Sequence, residues 1–561
     1  MKKFLTLSFA AAALLAASCV EVDNSLGEDL VDKTLLFDTY TVEFDLDQIQ
    51  LKPSSELSGY SDNHVTIGAI RDDVFGLTTR ESAFALIPAL DTLDLGTNPE
   101  ALEFRIYFAA DTVSCADDSQ AHIIQNVYVT ELTEPLDLDN RSTTHPIAHG
   151  EELVTQGVPV CNGTSALTFF FTKEFAQKYV DVISRMGPVF KERTEDEEKE
   201  GIDKYDEYVA ALPGIHLRTD IPEGNGGRIN LFELSALSVA NNYYYQNSNK
   251  ALLTVRSTWD GVQKDSSFLF VPGEPAFFNE SEYVENNEKF YQYAFNRVTH
   301  STQEHAATED ILVEGGGGLK PVILASELKE KTLAAIAGKP GNQDKAVIVK
   351  ATIVLPFEMP ENYLDMKYFP SVLSPTVRTV STDDDGKETV SFAGLTDASV
   401  STEDQGDIDR SNLVYSPDIT YHLQEILRRK DLESNTDADI WLLTVHTEKV
   451  ATANGTLYDN EYYRQMLYAN YYNSLYGGGY GGYGGYGYGG YGYGYGGYGG
   501  YGGYSNYYNY MMLAQYMAAS EQQAYSYTTE LDKDRYYCGK LCGPASERKP
   551  YFRVTFALPK K

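Results

Sequence analysis

The sequence is short of cations, of cysteine and of tryptophan, and no stretch reaches the ~18 apolar residues that a membrane-spanning helix needs. Lys and Arg number 45 against 81 Asp and Glu, a formal charge of −36. So acidic a chain opposes binding to phosphate backbones and anionic headgroups, and no nucleic-acid partner is expected. The acids are scattered, which reads as a solvated surface. Five cysteines in 561 residues do not make a disulfide-dense scaffold. Catalytic motifs are missing too: there is no metalloprotease helix motif, no phosphate loop and no Gly-x-Ser-x-Gly elbow. The run Gly315 to Gly318 lacks the Lys-Ser/Thr that a phosphate loop requires, so it reads as a turn. The expectation is a non-enzyme without a cofactor.

What is present begins at the N-terminus. Lys2 and Lys3 precede an apolar run from Phe4 to Ala17, too short to span a bilayer and of the length of a secretory signal, residues 1–18. The stretch AALLAASCVEVD (12–23) resembles a bacterial lipobox, which implies that Cys19 receives diacylglycerol and becomes the mature N-terminus. Glu21 and Asp23 follow at once, and resemble the surface-export signal of Bacteroidota lipoproteins. One acyl chain holds a protein only marginally at ~0.8 kcal/mol per buried methylene, whereas three hold it almost permanently. The expected address is therefore the outer membrane, lipid-anchored through a tether at 19–36 and facing outward.

Beyond Cys19 the cysteines are Cys115, Cys161, Cys538 and Cys542. Four allow three pairings. The close spacing in CGKLC suggests a local Cys538–Cys542 loop, which leaves Cys115 with Cys161; structural disulfides are expected, with free thiols as the alternative. A redox pair normally has two intervening residues and this one has three.

Strand-like stretches dominate. TYTVEFDL (39–46) alternates cleanly. HVTIGAI (64–70), LEFRIYF (102–108), IIQNVYVTEL (123–132), SALTFFF (165–171), GIHLRTD (214–220), RINLFEL (228–234), ALLTVRS (251–257), SSFLFV (266–271), KAVIVKATIVL (345–355), IWLLTVHT (440–447) and YFRVTFAL (551–558) share the β-branched and aromatic bias. Helical spacing is confined to 173–186, 192–212, 326–338 and 419–430, with Ser326 and Gly338 as expected caps of the third. The predicted fold is mainly β: two or three antiparallel β-sandwich-like domains with a few short covering helices and a disordered Gly/Tyr loop. The expected domains are 37–190, 191–340 and 341–561, the last interrupted by an insertion at 458–527. IWLLTVHT and YFRVTFAL are expected to be sheet neighbours.

An ordered series of motifs runs through this pattern: DNSLGEDL, IGAIRDDVFGLTTRESAFAL, VYVTELTEPLD, GIHLRTDIPEGNGGRINLFEL, VEGGGGLKPVILASELK, NQDKAVIVKATIVL and ITYHLQEIL. Together they resemble a family of Bacteroidota surface and outer-membrane lipoproteins defined by a domain of unknown function. The resemblance covers most of the chain outside about 460–525 and implies a β-rich surface lipoprotein. It brings no catalytic residues.

Residues 476–504 are glycine and tyrosine only, with Tyr476, Tyr480, Tyr483, Tyr486, Tyr488, Tyr491, Tyr493, Tyr495, Tyr498, Tyr501 and Tyr504. Ordering so much glycine costs more than burying these rings returns, so the tract is expected to be a disordered loop. Its rings can stack on sugars, aromatics or cations. Weaker candidates are His145 with His149, His300 with His305, and a calcium-like run with Asp404, Asp407 and Asp409, all read first as ordinary loop residues. The function expected is that of a non-catalytic accessory or scaffold subunit of an outer-membrane protein complex. The alternative is a glycan-binding lipoprotein using the tyrosines.

Overall fold

The computed structural model describes residues 37–560, apart from 62–63, 89–92, 116–117, 138–139, 187–203, 235–236, 241–242, 246–249, 274–288, 291–293, 302–306, 383–385, 387, 398–404, 433–434 and 452–524. Among them the protein is mainly β, in antiparallel sheets with few helices. Each expected strand is found. Phe37–Asp45 alternates exposed and half-buried residues along its whole length, as its sequence does. The helices are α1 (Lys173–Met186), α2 (Lys204–Ala211), α3 (Ala325–Ala337) and α4 (Thr420–Arg428).

The four larger sheets form two sandwiches. In the first, a ten-stranded sheet runs His149–Leu153, Gln125–Leu132, Ile215–Thr219, Gly76–Phe84, His64–Asp72, Gly226–Glu233, Ala110–Cys115, with three short or branching strands beside this path. A five-stranded sheet packs on it, ordered Leu167–Phe170, Thr97–Phe108, Lys250–Trp259, Val262–Pro272, Leu86–Pro88. Phe104, Ile106 and Phe108 point inward from one strand because their spacing is two. Phe108 meets Phe84 and Phe232 of the larger sheet, whereas Phe104 meets Tyr179 of α1 at 5.2 Å. Phe175, Tyr179, Val182 and Ile183 of α1 are buried, as the helical spacing requires.

The second sandwich is assembled from both ends of the chain. Phe37–Asp45 pairs residue for residue with Tyr551–Pro559, which pairs in turn with Val347–Pro356. The opposing sheet runs Ile49–Pro53, Leu319–Ile323, Ile440–Ala451, Val372–Thr382, Glu388–Gly394. Phe552, Val554, Phe556 and Leu558 meet Ile49, Ile323, Ile440 and Leu442 in its core, which α3 and α4 close with Leu328 and Leu423.

Two expectations fail here. The sheets do not follow the division into 37–190, 191–340 and 341–561, since Phe37–Asp45 and Ile49–Pro53 pair with strands beyond residue 318, and Ile215–Thr219, Gly226–Glu233, Lys250–Trp259, Val262–Pro272 and Ala294–His300 belong to the first sandwich. Strand order in a sheet need not follow chain order, and nothing local in 37–53 announces a partner hundreds of residues away. Likewise Ile440–Ala451 and Tyr551–Pro559 are not neighbours; they lie in opposing sheets with their apolar residues facing. The later half of Ile440–Ala451 pairs instead with Tyr525–Leu531, in register from Val445↔Leu531 to Ala451↔Tyr525. The chain on either side of 452–524 is thus a closed hairpin whose two ends meet.

Candidate functional site

The segment after that hairpin, Asp532 to Tyr537, crosses to the first sandwich and locks the two together. Arg80, buried in the ten-stranded sheet, donates to the carbonyls of Lys533 (2.8 Å) and Arg535 (3.2 Å). Asp534 accepts from Ser61 Oγ (2.5 Å) and Asn296 Nδ2 (3.2 Å), and lies 3.2 Å from His64 Nδ1. The other ring nitrogen of His64 is 3.2 Å from Asp111. Burial opposes charge on this imidazole, but the hydrogen bonds to Asp111 and Asp534 override it and raise its pKa to about 10. Burial likewise opposes the Asp534 carboxylate, and the hydrogen bond from His64 wins, lowering it to about 2. Asp111, His64 and Asp534 therefore form a carboxylate–imidazolium–carboxylate row across the joint.

The glycines 315–318 are a turn, as read, and also a cradle beneath this joint. Lys320 is fully buried and donates to the carbonyls of Glu314, Gly316 (3.2 Å) and Gly318 (3.4 Å). Burial lowers its pKa to about 7. Gly316 has φ +55, and a Cβ there would sit 3.0 Å from the Arg80 guanidinium; a Cβ on Gly317 would meet Thr143 Oγ1 at 2.2 Å. Side chains would push the cradle off both.

A second polar centre lies on the outer face of the second sandwich, in a cleft of about 570 Å³. The register Val322↔Trp441↔Thr376 sets Trp441 at its floor, where the indole meets Phe392 at 5.3 Å and carries Lys52 Nζ 5.8 Å from the ring centroid. One wall is the Arg378–Glu56 pair, bidentate at 2.6 and 2.7 Å. The other is the turn before Ile440, where Asp437 pairs with Arg429 at 2.7 Å. Between them stands Asp439, only 5% exposed. Its Oδ1 accepts from Ala325 N at 3.0 Å, capping α3 from outside, while Oδ2 has no hydrogen-bond partner. The expected cap Ser326 lies inside α3 instead, and Leu324 occupies the cap position; Gly338 ends the helix as expected.

The four cysteines described are thiols. Cys538 and Cys542 bound a straight strand paired with Asp310–Glu314, and at about 3.3 Å per residue their Cα atoms lie about 13 Å apart, beyond the ~7 Å limit for a disulfide. Cys115 lies opposite Arg228, and Cys161 lies opposite Gln125 on another strand; the Arg228 guanidinium is held at Cys161, 3.0 Å from its carbonyl and 3.6 Å from its Sγ. Burial raises the Cys161 and Cys542 thiols, and takes Cys538 up to about 12. A raised pKa works against a thiolate at these three positions. Asp409 closes a turn on Ser411 N (2.9 Å) and Asn412 N (3.0 Å); Asp407 does not join it in a cluster, and Asp404 lies outside the described residues. No group of three metal-ligating side chains occurs among the described residues. His145 bonds Asn140 (2.8 Å), His149 stacks on buried His216 at 4.1 Å, and His300 faces Glu314 at 3.4 Å; His305 lies outside the described residues. Cys19, Glu21, Asp23 and the tyrosines of 476–504 also lie outside them.

Sequence reading passed over the joint and the cleft alike. LDKDRYY (531–537) carries a dense charge alternation that could have marked the first, whereas Lys52, Asp439 and Trp441 share no local pattern. Compared with protein-family models, with curated proteins and with solved structures, the chain matches none.

Proposed function

We propose that this protein is a non-catalytic lipoprotein of the outer-membrane surface that serves as an accessory subunit of a membrane-embedded protein complex. The lipobox-like run ending at Cys19 and the acids Glu21 and Asp23 support the address. One observation carries the mode of action: an apolar patch on the outer face of the ten-stranded sheet. Ile124 is 65% exposed, Val160 53% and Ile221 56%, with Val158 beside them. Val160 pairs across from Asn126, two residues along the strand from Ile124, and Ile221 follows the neighbouring strand Ile215–Thr219 at the same end. Tyr128 continues the face with Arg218 over its ring at 4.6 Å. Exposed aliphatics gathered at one end of a sheet, among polar residues such as Asn126 and Asp220, support protein contact.

The test is co-purification after mild detergent extraction at native expression. The protein is expected to bring a membrane-embedded partner with it, and an Ile124→Glu, Val160→Glu double substitution to release that partner without lowering the unfolding temperature. Recovery of the wild-type protein as a lone monomer would overturn the reading.

A further inference from the structure

We propose that the cleft floored by Trp441 binds a short, uncharged oligosaccharide, at a site separate from the Gly/Tyr tract and from the patch proposed for a partner. Its size falls within the ~300–1,000 Å³ usual for small-ligand sites. Its floor is a central sheet strand, which keeps the groups in place.

The charges decide the class of ligand. Arg378 is neutralised by Glu56 and Arg429 by Asp431 and Asp437, so the walls add no cation to Lys52, and a single ammonium faced by a carboxylate does not suit a phosphate or a nucleotide. Of the charged groups lining the cleft, that leaves one carboxylate oxygen, of Asp439, and one ammonium, of Lys52. Asp439 Oδ2 is buried without a donor, a condition rare in native proteins. Lys52 offers donors and no acceptor. Burial raises the Asp439 pKa, and the hydrogen bond from Ala325 N and the Lys52 charge act against that rise. A hydroxyl donates to a carboxylate and accepts from an ammonium at once. A sugar ring presents such hydroxyls on its edge and an apolar C–H face that suits the part of the indole open to the cleft, Trp441 being 6% exposed there.

The chain has two tryptophans, Trp259 and Trp441. In a Trp259→Phe background of the full chain, Trp441 reports alone. The probes are cellobiose, maltose and N,N′-diacetylchitobiose, with a glucuronate-containing disaccharide as the charged comparison. At least one neutral probe is expected to change Trp441 emission saturably. Asp439→Asn, which keeps an oxygen for Ala325 N, and Lys52→Met, which leaves the α3 cap intact, should each weaken that binding by about tenfold or more. Unchanged melting of the Lys52→Met form would show that the loss is not unfolding. The proposal is overturned if no neutral probe acts at millimolar concentration, if only the glucuronate acts, or if binding survives both substitutions. Failure of the partner interaction above would leave these results untouched.

Discussion

The two sandwiches differ in how they are drawn from the chain. The first is contiguous: its core from Val65 to Ala294 arises within one stretch, with tight hairpins such as His64–Asp72 to Gly76–Phe84 turned by Asp72 and by Gly76 at φ +68. The second needs both ends at once, since Phe37–Asp45 finds its partner at Tyr551–Pro559. A fold closed by its termini depends on the last element to arrive, and here that element passes through the joint held by Arg80 and Asp534. The first sandwich should therefore tolerate losses that destroy the second.

The largest effect follows from removing that last element. A chain ending at residue 524 lacks the central strand Tyr551–Pro559 and the whole joint. Limited proteolysis is expected to digest the second sandwich and leave a resistant core from the first; uniform digestion would refute the division. Next comes Asp534→Ala, which leaves His64 buried beside a single carboxylate and removes acceptors for Ser61 and Asn296. A loss of ~3–5 kcal/mol is expected from denaturant unfolding, with the two sandwiches expected to melt apart and the wild type to melt once.

A subtler break is electrostatic. His64 has a pKa raised from 6.5 to about 10, so its contribution is full below about 6.5 and fades as pH rises through 10. Asp534 is lowered from 3.8 to about 2, so its contribution is full above 3.8 and fades as pH falls through 2. The joint should be tightest between these limits. Lys320, lowered from 10.5 to about 7, acts with the opposite sign above 7, because there the unfolded chain binds more protons. The wild-type profile mixes the two, and the difference between wild type and His64→Gln isolates the joint. That difference is expected to shrink from pH 7 to pH 10; a flat difference would remove the imidazolium from the account. The smallest effect is expected from replacing 476–504 with a short Gly-Ser linker. The flanking strands already meet at Ala451↔Tyr525, so stability should shift by no more than ~0.5 kcal/mol.

Sequence made the strands legible because period-two burial is a local property. FDTYTVEFD could be read as a strand without knowing its neighbour, and KEFAQKYVDVISRM as a helix covering a sheet. Partners were not legible, because the same alternation fits any edge, and nothing within 37–53 marks the distant strands it pairs with. The CGKLC pair misled for a related reason. Sequence closeness suggested a loop, whereas the strand holds the two sulfurs' residues apart. The cleft escaped because its parts stand at 52, 378, 439 and 441 and meet only through strand register.

The comparison also separates the proposed contact face, on the first sandwich, from the proposed sugar cleft, on the second. Site-specific photo-crosslinking in intact cells tests the contact directly. A photoreactive residue at Val160 should yield an adduct with a membrane-embedded protein, whereas one at Val262, 65% exposed on the five-stranded sheet of the same sandwich, should not. Equal labelling from both positions, or none from Val160, would contradict the account.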